Sequence, residues 1–228
     1  MNSDAYLKIL ISTSSALIGW VLAQVTATIK PRLERRRIIR LLLEELRDLD
    51  REAGRLLFYH ARNLQLYGAN GIKHSAVVGL SNPIYSNYYK DALLSLNQNQ
   101  RISFQMIHEM VYHQNEILKE IHTVNSSVYK EYMENGLSAS IAKGGKHHGQ
   151  LSKDGYSNCS IIKWHIKHHL ERKSNPGLTP YSEDHKAYLQ YLESLIKEID
   201  KTIDSGRAIP KEKFGKLFDE SDFGPSLQ

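Results

Sequence analysis

Residues 29–50 read IKPRLERRRIIRLLLEELRDLD. An uncharged apolar segment ends here, basic side chains crowd into residues 30–40 against a lone Glu34, and leucines at helical spacing take over. A junction of this kind marks a membrane edge, a nucleic-acid patch or an ordinary helix start, and the choice among these decides the fold.

Upstream, Ile9 to Ile29 (ILISTSSALIGWVLAQVTATI) contains no Asp, Glu, Lys or Arg. At 1.5 Å per helical residue, about 20 such residues cross a hydrocarbon core of roughly 30 Å, so residues 9–29 are predicted to form a transmembrane helix. A buried core helix is the competing reading, because Ser12, Thr13, Ser14, Ser15, Gln24, Thr26 and Thr28 dilute the hydrophobicity. A cleaved signal peptide needs a positive leader, whereas residues 1–8 set Asp4 against Lys8. The charge excess lies after the span, which predicts a short extracytoplasmic N-terminus (1–8) and a cytoplasmic C-terminal body by the positive-inside rule. The juxtamembrane segment 30–40 then places Lys30, Arg32, Arg35, Arg36, Arg37 and Arg40 against lipid headgroups, each worth about 1 kcal/mol near an anionic leaflet. Lipid phosphates would compete for the same arginines, which weakens the nucleic-acid reading.

Within the span, Ser12, Ser15, Ala16, Gly19, Ala23, Thr26 and Ala27 draw a stripe of small residues at three-to-four spacing. Small residues let helix backbones approach closely in lipid, so the stripe is a candidate self-association face. Chance placement of common small residues explains it equally well.

Downstream, Pro31 is expected to bend or restart the helix. Ile39, Leu42, Leu46, Leu49, Ala53 and Leu56 follow an a/d seam, with Glu44, Glu45, Arg47, Asp48 and Arg51 facing water, on a helix from about Arg32 to about Leu66. Asn82 and Pro83 open a second helix as N-cap and first residue, and NQNQ is a polar break before a third. On that third helix, Ile107, Met110, Gln114, Ile117, Ile121, Val124 and Val128 repeat the seam up to Gly136. Gln114 on this seam either specifies register or lies at a wet edge. Residues 137–156, rich in Gly, Ser, Lys and His, read as a mobile loop. A short helix over Cys159 to Lys173 and a final amphipathic helix carrying Leu189, Leu192, Ile196, Ile199 and Ile203, stopping at Gly206, complete a body of residues 41–206. Residues 207–228 form a partly ordered tail with Phe214, Phe218 and Phe223 as docking anchors. The predicted fold is all-α: a transmembrane helix followed by a cytoplasmic antiparallel helical bundle with coiled-coil-like seams.

Composition agrees with a folded body, at 41% hydrophobic and 24% charged residues. The single cysteine, Cys159, forms no internal disulfide and is read as a buried thiol in a reducing compartment. His165 and His169 share a helix face and have metal-ligand spacing, but no HExxH base accompanies them and Lys163 and Lys167 repel a cation. A basic, His-rich face that includes His147, His148 and His168 describes the region better. Lys143, Lys146, Lys153, Lys163, Lys167, Arg172 and Lys173 form a candidate polyanion or partner patch, against the simpler reading of a solvated helix face. No phosphate-cradling glycine loop, nucleophile elbow or cofactor motif is present, so no catalytic residue, metal or cofactor is assigned.

This anatomy of one span, a basic flank and LLLEELRDL opening a helical body resembles small bacterial single-span inner-membrane proteins, including membrane effectors of phage-defence systems such as retrons. The resemblance covers mainly the first quarter of the chain. It implies a non-enzymatic effector at the bacterial inner membrane that oligomerises and perturbs the bilayer when a cytosolic partner protein or ribonucleoprotein releases it. The alternative is a membrane-tethered scaffold that binds a partner protein or nucleic acid through residues 143–173.

Overall fold

The computed structural model describes residues 3–72 and 77–210. Among them there is no strand, and five helices account for nearly all of the chain: α1 (Ser3–Gly68), α2 (Pro83–Ala92), α3 (Gln98–Asn135), α4 (Leu137–Arg172) and α5 (Glu183–Ala208), with a single 3₁₀ turn over Leu93–Ser95. The tail anchors Phe214, Phe218 and Phe223 lie outside the described residues.

α1 is one uninterrupted helix of 66 residues with Pro31 inside it, about 100 Å long at 1.5 Å per residue. The expected break at Pro31 does not occur. A proline removes one backbone hydrogen bond and crowds the carbonyl four residues earlier, at a cost of about 3 kcal/mol or more. Here the strong helix formers that follow (LERRR, LLLEEL) propagate the helix beyond Pro31, and exposed residues at the site impose no other course on the chain.

The two halves of α1 differ in environment. From Leu10 to Leu33 every described side chain is exposed, including Leu10, Leu17, Trp20 and Leu22 at 60% or more. From Leu42 onward the seam disappears from solvent: Leu42, Leu46, Leu49, Ala53 and Leu56 are fully buried. Residues 60–66 are buried around the whole circumference of α1, because α4 and α5 cover it on more than one side.

α3 and α4 meet at Gly136, whose φ of 82° suits glycine and reverses the chain within one residue. Lys143 meets Glu131, His147 meets Glu120, Asn158 meets Met110 and His169 meets Ser103, so numbers rise along α4 as they fall along α3. NQNQ is not a break but the start of α3. The Asn97 side chain accepts from the Gln100 amide, and the Gln100 side chain accepts from the Asn97 amide, in a capping box.

The segment 137–156 is helical rather than a loop. Its glycines mark close approach. A Cβ at Gly144 would collide with Val128 of α3, one at Gly149 with the Tyr67 ring of α1, and one at Gly155 with the His60 imidazole. Gly206 does not stop α5 either; it lies against the Gln65 backbone, where a side chain has no room.

Glu45 departs from its expected solvent position. It is buried, and its carboxylate accepts from the Ile84 amide at 2.6 Å and the Tyr85 amide at 2.9 Å. These are orphan donors of the first turn of α2, so a residue from α1 caps α2. Asn82 makes no side-chain cap and instead meets His108 Nδ1 at 3.0 Å.

Candidate membrane interface and the buried histidines

One helix among the described residues is long and apolar enough to cross a membrane, with a best-window mean hydropathy of 1.4 and none of that window buried. Its polar residues are satisfied locally: Ser15 Oγ donates to the Ile11 carbonyl at 2.8 Å, Thr28 Oγ1 to Gln24 at 2.8 Å and Thr13 Oγ1 to Leu10 at 3.1 Å. A hydroxyl bonded back onto its own helix is compatible with an apolar surround. At 100° per residue, Ser12, Ser15, Ala16, Gly19, Ala23, Thr26 and Ala27 fall within about 120° of arc, opposite Leu17, Val21 and Val25. Nothing lies within 4 Å of a Cβ built at Gly19, so the chain itself does not use this face.

Among the described residues, no ion pair engages Lys30, Arg32, Arg35, Arg36, Arg37 or Arg40. Five are exposed and Arg35 is half-buried. The apolar stretch therefore runs directly into a collar of cations without carboxylate partners.

The second basic group is arranged differently. Lys143 pairs with Glu131 at 2.8 Å, Lys163 with Asp50 at 2.9 Å, Lys167 lies 4.0 Å from Glu171, and Arg172 pairs with Asp184. Lys143 and Lys173 stand about 45 Å apart along α4. Three of the seven, Lys143, Lys163 and Arg172, thus tie α4 to α3, α1 and α5.

The His-rich face is also corrected. His148, His165, His168 and His169 are buried, as are His60 and His108, while His147 alone of the α4 group is exposed and meets Glu120 at 3.0 Å. Buried imidazoles need partners or aromatic faces. Gln114, fully buried, bonds to His60 Nε2 at 2.8 Å and accepts from Asn158 Nδ2 at 3.0 Å. Asn158 also donates to the Met110 carbonyl at 2.9 Å. Gln114 is thus a buried, hydrogen-bonded core residue and does not lie at a wet edge. His169 Nδ1 meets Ser103 Oγ at 2.8 Å, His108 stacks on Tyr85 with centroids 3.6 Å apart, and His168 stacks on Trp164 at 5.0 Å.

Burial favours the neutral imidazole. It pulls His60 and His108 down to about 3 and His148, His165 and His169 down to about 4, and it lowers His168 as well. His165 and His169, the pair with metal spacing, are engaged separately, by Trp164 and Tyr188 and by Ser103 and Phe104. No cluster of three metal-ligating side chains occurs among the described residues. Cys159 is fully buried, and burial pushes its thiol far up.

The sequence pointed to α2 as a helix but not to its place beside the basic stretch of α1. Its end lies beside the exit of α1, with Tyr88 and Leu94 exposed. The available signal was the tyrosine-rich run PIYSNYYK that opens on Pro83, with aromatic and basic residues of the kind that gather at bilayer interfaces. Comparison with known proteins finds no match: no family model, curated protein or solved structure matches this chain.

Proposed function

We propose that this protein is a membrane-anchored, non-enzymatic helical effector of bacterial antiviral defence, with its N-terminus outside the inner membrane and its helical bundle in the cytosol. It acts by oligomerising through the span and perturbing the bilayer when a cytosolic partner protein or ribonucleoprotein releases it. The defence context rests on the anatomical resemblance given above. The observation that supports the anchoring mechanism is the continuity of α1: one unbroken helix carries an exposed apolar half and a half whose leucines build the core. A displacement of the body is therefore transmitted to the span without a hinge at Pro31.

The test is induced expression in bacteria with a membrane-potential dye. Depolarisation is expected with the wild type, and Gly19→Ile is expected to reduce both depolarisation and span crosslinking. Because nothing in the chain touches Gly19, a loss of crosslinking reads an intermolecular contact. Full accumulation of wild type in the membrane with potential intact overturns the perturbation mechanism.

A further inference from the structure

We propose that the groove between the exit of α1 and the end of α2 binds the phosphate of an anionic phospholipid in the leaflet that α1 leaves; the proposal rests on the membrane-anchored reading above. The groove encloses ≈ 820 Å³ and runs along α1 from Pro31 to Leu41.

Its depth follows from the helix geometry. Glu45 fixes the first turn of α2, and the last residues of α2 line the groove beside Pro31 to Leu41, so α2 runs back toward the apolar half of α1. The ten residues of α2 cover about 15 Å, the same as the ten steps from Glu45 back to Arg35. Arg35 in turn stands about 8 Å beyond Lys30, where the uncharged stretch ends, and headgroup layers are roughly 5–7 Å thick. The Pro31 end of the groove thus lies within the headgroup layer, with Arg35 at its outer edge facing the phosphates.

Its chemistry is that of a headgroup site. Arg35 and Arg37 come from α1 and Lys90 from α2, and none takes part in an ion pair among the described residues. Leu41, Tyr88 and Leu94 supply apolar surface beside these cations, and Leu94 is 88% exposed. A leucine and a tyrosine exposed beside cations match the mixed apolar and aromatic surface that settles at a bilayer interface. Tyr85 and Tyr89 of the same helix stack inward on each other, leaving Tyr88 outward. Glu34 and Asp91 also line the groove and oppose an anion. Their presence predicts a modest affinity that a single charge change moves in either direction.

The full-length protein in nanodiscs of equal phosphatidylglycerol and phosphatidylcholine, examined by native mass spectrometry for retained lipid, provides the test. The wild type is expected to retain phosphatidylglycerol preferentially. Lys90→Gln should lower that preference about five-fold, from a contribution of about 1 kcal/mol per basic residue, and Glu34→Gln should raise it. Residues 34 and 90 are exposed, so neither change threatens the fold. An unchanged preference in both variants overturns the groove, as does an equal loss in Arg36→Gln, a cation that does not line it. Displacement of the lipid by excess inorganic phosphate also overturns the lipid assignment. Extraction of the wild type by alkaline carbonate overturns the membrane reading itself, separately from the groove.

Discussion

Gly155 faces the His60 imidazole from the middle of α4, and its lack of a side chain is what lets α4 lie against α1 there. In an ordinary helix interior, replacing glycine by alanine stabilises by about 0.5–1 kcal/mol. At residue 155 the added methyl collides with a fully buried ring held by Gln114, so Gly155→Ala is expected to destabilise by about 1–3 kcal/mol, as overpacking does. Urea denaturation decides between the two signs, and a gain in stability would remove the close-packing explanation of the α4 glycines. Glu45 makes the same point about single residues. Its place beside Glu44 in a charged run suggests solvent, yet its carboxylate is the cap of a helix 39 positions further on. Capping across elements leaves no mark in local sequence.

Among the elements, α4 buries His148, His165, His168 and His169 against α1, α3 and α5 partners, and α1 and α3 add His60 and His108. The five whose folded pKa values fall to about 3 or 4 lie below the unfolded value of 6.5. Their neutral burial leaves stability intact above about pH 6.5, and stability is lost as pH falls from there toward 4. Each contributes about 1.4 kcal/mol of loss per pH unit within that window. Unfolding midpoints in urea should therefore drop steeply between pH 7 and pH 5; a flat profile would mean that these imidazoles are solvated. The seam leucines of α1, the Gly136 joint and the α3 seam were legible because periodicity reports a buried face directly. The glycines and histidines of α4 were not, since composition normally associated with loops and surfaces is here imposed by close helix approach and by aromatic partners distant in sequence. At Pro31 the local breaker signal lost to two long helical runs.

At the scale of the whole molecule, α1 joins two environments: an exposed apolar half ending in cations that form no ion pair among the described residues, and a half whose leucines line the core. The central claim is that the first half lies in a bilayer and the second in cytosol. Topology labelling tests it directly. Cys159 is fully buried, so the native thiol stays silent and new cysteines report alone. With a membrane-impermeant maleimide on intact bacterial spheroplasts, Ser3→Cys should react at once and Lys197→Cys only after the membrane is opened. Labelling of Lys197→Cys in intact spheroplasts, or recovery of both variants unlabelled in the soluble fraction, would contradict the account.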